Sequence, residues 1–303
     1  MLSRRDLIAL GASALAGSVL PRGLWARSSA DLITKQIPRT GEAVPVIGLG
    51  TRNYRAAAGE DRTVFGQTVA AFLDGGGRVV DTAPSYGNSE EILGEIFAEL
   101  KARDRVFLAG KVDRTGREAG VEGMNRSLAR LRTDRVELMQ VHNLTDTVTQ
   151  LATLREWKAA GKTRYIGIST SSDRQYEELE RLVRSEQLDF IQADYAVDER
   201  AIAERLLPAA ADTGTAVMIN LPFGRGRLFQ RVGDRPLPEW AKEFGAASWA
   251  QFFLKYVVSH PAVTCAIPGM TKPHHAVDNL GACRGVLPDA ATRKRMEAFV
   301  DGL

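Results

Sequence analysis

Four polar residues stand near the ends of three short apolar runs: Asp81 and Tyr86 in VVDTAPSYG, Lys111 in VFLAGK, and His142 in VELMQVH. A phenol, an ammonium, a carboxylate and an imidazole brought together make a proton donor whose charged neighbour can lower its pKa, beside a group able to orient a carbonyl. Each run is β-branched and bounded by turn or helix signals, so each reads as a buried parallel strand delivering its last residues to one rim of a sheet. That rim is where α/β barrels place their chemistry. Taken singly, each residue has a plainer use. Asp81 would cap a turn or helix, Tyr86 would cover the core, Lys111 would be a solvated end and His142 a satisfied core histidine. Their joint occurrence on consecutive strands is what argues for a site.

The elements that must carry them alternate along the chain. A hairpin turning at Thr40-Gly41 leads to strands over Val46–Thr51, Arg78–Ala83, Val106–Val112, Val136–His142, Arg164–Ser169, Phe190–Asp194, Ala216–Leu221 and Val263–Ile267. Helices are predicted over Thr63–Asp74, Ser89–Leu100, Glu118–Leu131, Val148–Ala160, Asp173–Ser185, Ala201–Thr213, Ser248–Ser259 and His274–Cys283. Ser89, with Glu91 in the first turn, reads as one helix start, and Gly161 as the stop of another. Eight successive βα units in 303 residues predict an α/β fold of the closed (β/α)8 TIM-barrel kind, with the N-terminal β-hairpin and an extra C-terminal helix over Pro288–Val300. No linker or low-complexity tract divides residues 31–303, so they read as a single domain.

Composition narrows the function classes. The formal charge of +3 is carried by residues 1–30, where Arg4, Arg5, Arg22 and Arg27 face only Asp6. The remainder is formally neutral and lacks a basic run, which removes the electrostatic argument for nucleic acid. Within residues 1–30, the pair Arg4-Arg5 precedes an apolar run from Leu7 to Leu20 and then small residues around Ser28-Ser29-Ala30. That order resembles a twin-arginine export leader, a type that carries folded proteins, often with a cofactor bound. It implies the Tat export machinery as a partner and a periplasmic or otherwise exported mature protein beginning near Asp31, or a cytoplasmic one if the leader does not function. The run is too short and glycine-rich to span a bilayer, so no stable membrane insertion is expected of the mature protein. Two cysteines, Cys265 and Cys283, without CxxC spacing read as buried, inert thiols, and no metal site is expected.

From about Ile37 to Ala282 the chain resembles the aldo-keto reductases. VVDTAPSYGNSEEILGE is similar to the family segment with the catalytic aspartate and tyrosine, GKV to its lysine strand and LMQVHN to its histidine strand. YIGIST, FIQADY, LPFGRGRL and AIPGMTKPHHAVDNLGA then resemble its cofactor segments, in the expected order. The resemblance implies an NAD(P)H-dependent oxidoreductase that reduces a small-molecule aldehyde or ketone to an alcohol, with NADPH preferred and NADH as the alternative. A free phenol has a pKa of about 10, so Lys111, held charged by Asp81, is expected to favour the tyrosinate and lower it. Tyr86 would then donate the proton while His142 polarises the carbonyl; no metal is required.

The same resemblance assigns the cofactor contacts. Ser169 and Gln192 would hold the nicotinamide carboxamide, with Thr170 where the family usually has asparagine. Gly50 and Thr51 would let backbone approach the cofactor beside Asp81. Pro222, Phe223 and Gly224, extended by Arg225, Gly226, Arg227 and Leu228, would pass the pyrophosphate. Pro268, Gly269, Met270, Thr271, Lys272 and His275 would meet the 2′-phosphate, and Asp278 and Asn279 the adenine. Tyr54, Trp240 and Phe223 are expected as substrate walls beside Tyr86 and His142. Three departures stand out: Asn220 replaces an aromatic that often stacks on the nicotinamide, Lys272 is the only fixed cation in its segment, and the chain stops at Leu303 without the tail that closes the pocket in many relatives. The last implies an open, tolerant site. A rival reading is a cofactor-binding redox sensor or adaptor with little turnover.

Overall fold

A computed structural model describes residues 32–57 and 60–303. The segment read above as a twin-arginine leader, with Arg4, Arg5 and Ser28-Ser29-Ala30, lies outside the described residues. A two-stranded antiparallel hairpin, β1 (Thr34–Gln36) and β2 (Ala43–Pro45), turns through Gly41 at φ 72°. Eight parallel strands follow in one sheet in chain order: β3 (Leu49–Gly50), β4 (Val79–Asp81), β5 (Phe107–Val112), β6 (Val136–His142), β7 (Thr163–Ser169), β8 (Phe190–Asp194), β9 (Ala216–Asn220) and β10 (Cys265–Ala266).

The two edges of that sheet meet. Gly48 N donates to Ala266 O at 2.8 Å, Gly50 N to Pro268 O at 2.9 Å and Ala266 N to Val46 O at 2.9 Å. A Cβ on Gly50 would fall 2.7 Å from Ile267 O, so glycine is what lets the first strand press against the last. Regular pairing at this seam is short, which is why β3 and β10 occupy less of the chain than their apolar runs suggest.

Helices separate the strands: α1 (Thr63–Asp74), α2 (Ser89–Glu99), α3 (Arg117–Arg130), α4 (Thr147–Ala159), α5 (Tyr176–Ser185), α6 (Leu206–Thr213), α7 (Arg227–Val232), α8 (Trp249–Val258) and α9 (Pro273–Gly281), with α10 (Ala290–Asp301) closing the chain. The helix expected from Ala201 starts later, at Leu206. The residues from Ala201 form one tight turn, and Arg205, at φ −130°, interrupts the path before α6 begins. Ser89 opens α2 as expected, with Glu91 in the first turn, and its buried hydroxyl lies 2.8 Å from Thr51 Oγ1 and 3.1 Å from Thr82 Oγ1, tying α2 to the strand ends beneath the site. The helix expected from Ser248 is α8, and Ser248 caps it by accepting from Gln251 N.

Strand alternation sorts the side chains. One core cluster contains Val79, Phe107, Ala109, Leu138, Tyr165, Phe190, Ala216, Met218 and Cys265, together with Ile37 and Val44 from the hairpin. These occupy every second strand position, so they fill the barrel, and the hairpin closes its lower end. Glu42 in the hairpin bonds the Tyr165 hydroxyl at 2.7 Å and Arg164 at 2.8 Å, while Lys35 Nζ donates to His260 O and Val263 O. Continuing two residues at a time toward the other end, the same face becomes polar: Val79 leads to Asp81, Phe107 and Ala109 to Lys111, Leu138 to Gln140 and His142, Tyr165 to Ser169, Phe190 to Gln192. A second, larger cluster packs the outward strand faces against the helices. Both cysteines are buried and unbridged, and burial pushes each thiol up, which leaves them inert.

The close approach of α2 to α3 yields a stability prediction. A Cβ on Gly94 would stand 2.1 Å from Arg130 O. Alanine gains about 1 kcal/mol of helix propensity over glycine, but displacing a packed backbone carbonyl costs about 1–3 kcal/mol or more. Gly94→Ala should therefore lower the melting temperature; an unchanged or higher value would show that the helices separate freely.

Candidate active site

The strand register delivers the polar layer to one rim. Gly50 pairs with Asp81, Lys111 with Gln140, His142 with Ser169, and Ser169 with Gln192. Asp81 and Lys111 are 2% and 1% exposed, and Lys111 Nζ donates to Asp81 Oδ1 at 2.6 Å and to Thr82 O at 3.1 Å. Gln192 Nε2 also donates to Asp81 Oδ1, at 3.3 Å, and Gln192 Oε1 accepts from Gln140 Nε2 at 2.9 Å. Burial raises the Asp81 pKa, against the opposing pull of the Lys111 charge and of the hydrogen bonds from Lys111 and Gln192. Above this pair, Lys111 Nζ lies 5.1 Å from the centre of the Tyr86 ring, and Tyr86 meets His142 edge to face with ring centres 6.0 Å apart.

These groups open into a cleft of about 540 Å³. It is lined by Asp81, Tyr86, Lys111 and His142 and by Gly50, Thr51, Ser169, Thr170, Gln192, Asn220, Pro222, Phe223, Gly226 and Gly269, all expected from the sequence. Other predicted residues stand elsewhere. Tyr54 is wholly buried, stacked on Phe65 with ring centres 4.5 Å apart, and does not line the cleft. Trp240 packs in an aromatic cluster with Phe244, Phe252 and Phe299. Of the three expected walls, only Phe223 faces the cleft. Leu228 and Met270 are core residues at 0% exposure, Asn279 and Pro268 are buried, and Gly224 is buried and outside the lining. Thr271, Lys272 and His275 are at the N-terminal end of α9, outside the lining, with Lys272 and His275 exposed. Asp278 is engaged within the protein: its carboxylate accepts from Ser248 Oγ and Gln251 Nε2, both at 2.8 Å.

Several lining residues escaped the sequence reading: Arg52, Asn53, Arg55, Asn143, Ser171, Leu221 and Ile267. So did Gln140, which stands behind Gln192 two positions before His142 on the same strand face. Period-two alternation from His142 was the signal that could have found it. The loop after β9 has a second feature without periodicity: Leu221, Gly224, Arg225 and Gly226 adopt φ of 46°, 55°, 57° and 90°. Asn220 Nδ2 donates to Thr170 O at 3.2 Å, and the Thr170 hydroxyl bonds Gln175, so neither is idle.

Electrostatics set the protonation states. Burial pulls the Lys111 ammonium down, but the Asp81 charge and the Tyr86 phenol outweigh it and leave its pKa raised. Burial pushes Tyr86 up, Lys111 pulls it down and Asp81 pushes it up again; the net shift is upward. The lowering expected for this phenol is therefore present as Lys111's contribution but is outweighed, and Tyr86 carries its proton at neutral pH. Burial, then Lys111 and then Arg52, lower His142 to about 3, so its imidazole is neutral and offers one N–H donor.

A prediction follows for His142. The unfolded chain takes up this proton near pH 6.5 and the folded chain only near 3, so His142 stays neutral while its contribution to stability falls as pH drops through that window. The His142 imidazole resonances, assigned with His142→Gln, should not move between pH 8 and 5. A midpoint near 6.5 would contradict this environment.

Comparison with known proteins agrees with the geometry. Residues 46–298 match the model of the aldo/keto reductase family. Aldo-keto reductase YhdN of Bacillus subtilis is 34% identical over 215 residues, which span 65% of this chain and 64% of that protein, somewhat under two thirds of its length. Methylglyoxal reductase YeaE of Escherichia coli is 30% identical across 81% of this chain and 88% of its own. The crystal structure of an aldo-keto reductase from Klebsiella pneumoniae in complex with NADPH superposes with a TM-score of 0.73 at 28% identity, covering 89% of this chain and 95% of that one. With a family match that spans most of its length and a rim carrying the aspartate, tyrosine, lysine and histidine together, this chain is a member of the aldo/keto reductase family.

Proposed function

We propose that this protein reduces an aldehyde or ketone to the alcohol, with NADPH as reductant and Tyr86 as proton donor. The observation that carries the proposal is the buried Lys111–Asp81 pair at 2.6 Å beneath Tyr86, with His142 against the same ring. Relatives named as methylglyoxal and glyoxal reductases support the reaction class, and the NADPH-bound structural neighbour supports the cofactor.

The residues present fit a nicotinamide dinucleotide. Ser169, Gln192 and Asn220 put hydroxyl and amide groups on the cleft floor, where a carboxamide would bond. Phe223, near the right-handed region, precedes three successive positive-φ residues, a path that turns backbone N–H groups into a concavity for an anion such as a pyrophosphate. Open space lies where a Cβ on Gly226 would stand. Lys272 at the start of α9 would hold a 2′-phosphate. The cofactor, when bound, supplies hydride to the carbonyl carbon.

This chain's residues do the rest. His142, neutral, donates its N–H to the carbonyl oxygen and fixes which face is presented. Tyr86 gives its hydroxyl proton to the same oxygen as negative charge develops there. Lys111 stabilises the phenolate left behind, and Asp81 keeps Lys111 charged and in place. Gln192, held by Gln140, keeps Asp81 turned toward the lysine.

Tyr86→Phe removes only the proton donor. It should cut hydride transfer by roughly two to four orders of magnitude while cofactor binding stays nearly intact; stopped-flow transfer at wild-type speed would sink the mechanism. Slow single turnover with retained cofactor in the wild type would instead favour a redox sensor or adaptor. Lys272→Ala should weaken NADPH by about 1–3 kcal/mol and barely affect NADH; equal losses would show that Lys272 does not read the phosphate. We further propose that Arg4 and Arg5 direct export through the Tat machinery. Replacing both by Lys keeps the charge but loses the guanidinium geometry, so the variant should remain in the cytoplasm. Periplasmic recovery equal to wild type would rule out that leader.

A further inference from the structure

The cleft carries more positive charge than the reaction uses. Lys111 is matched by Asp81, but three more cations line the same space: Arg52 and Arg55 from the loop after β3, and Arg225 from the loop after β9. None of the three makes a direct ion pair among the described residues, although Asp194 lies within the field of Arg52 and Arg225; most other surface arginines are paired. Arg225 sits in the positive-φ turn and belongs with the cofactor. The cofactor contacts assigned above use neither Arg52 nor Arg55, yet both line the cleft that holds Tyr86 and His142.

Their loop is held rather than free. Tyr54, between them, is wholly buried against Phe65, and its N–H donates to Thr51 O at 2.8 Å. Asn88 Nδ2 donates to Ala56 O at 2.7 Å and Asn88 Oδ1 accepts from Ala56 N, which ties the loop to the segment following Tyr86. The Arg55 side chain lies across Gly87, so close that a Cβ there would stand 3.3 Å from Arg55 Cγ. Tyr54 therefore anchors the loop from inside, while Arg52 and Arg55 on either side of it are exposed and line the cleft. The field of Arg52 reaches both reacting side chains, pulling Tyr86 and His142 toward lower pKa.

We propose that Arg52 and Arg55 form an anion subsite, so that the favoured substrate is a short aldehyde or ketone bearing a carboxylate or phosphate. This rests on the carbonyl-reductase reading above and names its substrate class. An arginine guanidinium grips either anion through two parallel hydrogen bonds, and a cleft with unbalanced positive charge concentrates anions from solution. With the anion held at the mouth, the carbonyl of a short substrate is directed inward to His142 and Tyr86. Hydride and proton add across the C=O bond as before, and the anionic group takes no part in bond making.

The test compares charged and neutral substrates of the same shape. Measure kcat/KM with NADPH for 4-oxobutanoate and its methyl ester, and for glyceraldehyde 3-phosphate and glyceraldehyde, in wild type, Arg52→Gln and Arg55→Gln. Wild type should prefer the anion by about tenfold or more in at least one pair, mainly through KM, and the preference should fall by about tenfold in Arg52→Gln. The ratio cancels any general loss in the variant, and the two pairs separate a carboxylate site from a phosphate site. Reduction of the neutral aldehydes without any anion preference overturns the subsite and leaves the carbonyl-reductase reading intact. An anion preference in wild type that both glutamine variants retain also overturns it. Loss of NADPH affinity in Arg52→Gln with an unchanged ratio would assign the arginine to the cofactor and overturn the proposal as well. Calorimetry with succinate against succinamide tests the subsite without turnover: succinate binding that requires Arg52 supports it even if no carbonyl is reduced, and no difference between the two ligands contradicts it.

Discussion

A single buried ion pair organises this protein's site. Lys111 and Asp81 are almost wholly removed from water, on neighbouring strands, and such burial is unfavourable for each charge alone. Further hydrogen bonds support the pair: the ammonium also donates to Thr82 O, and Gln192 gives Asp81 Oδ1 a second hydrogen bond. Removing either partner would leave an uncompensated buried charge, at a cost of about 3–5 kcal/mol. Tyr86 then finds a fixed cation beside its ring, and His142, through its burial and then the same field, is held neutral.

The barrel makes the pair possible. Below it, alternate strand positions carry apolar side chains that exclude water, and the hairpin with Ile37 and Val44 closes the lower end. Above it, the same faces turn polar and the strand ends splay into a cleft. The transition from apolar to polar along each strand is thus the structural device that places a low-dielectric floor directly under a solvated reaction space. The seam between β3 and β10 depends on Gly50, whose missing side chain permits the backbone approach that completes the ring.

Much of this was legible in the sequence because strand ends announce themselves twice, by the β-branched run and by the polar residue that terminates it. Asp81, Lys111, His142, Ser169 and Gln192 share that signature, and all line the cleft. What stayed hidden lacks it. Tyr54 reads as a loop aromatic available to substrate, yet stacking on Phe65 buries it; no local pattern distinguishes an anchor from a wall. Asp278 reads as a ligand contact, yet it completes the cap of α8 through Ser248, a partner distant in the chain. The short α7 spans too few residues to show a helical period. Arg52 and Arg55 read as solvated loop charges, and only the fold shows that both line the cleft on either side of the buried Tyr54.

The central claim is that Asp81 and Lys111 act on Tyr86 as one unit rather than as two separate contributors. A double-mutant cycle with Asp81→Asn and Lys111→Met, read in the single-turnover rate of hydride transfer, measures that coupling. The account predicts strong non-additivity: once Lys111 is gone, removing Asp81 should cost little more. Rate losses that simply multiply would contradict it.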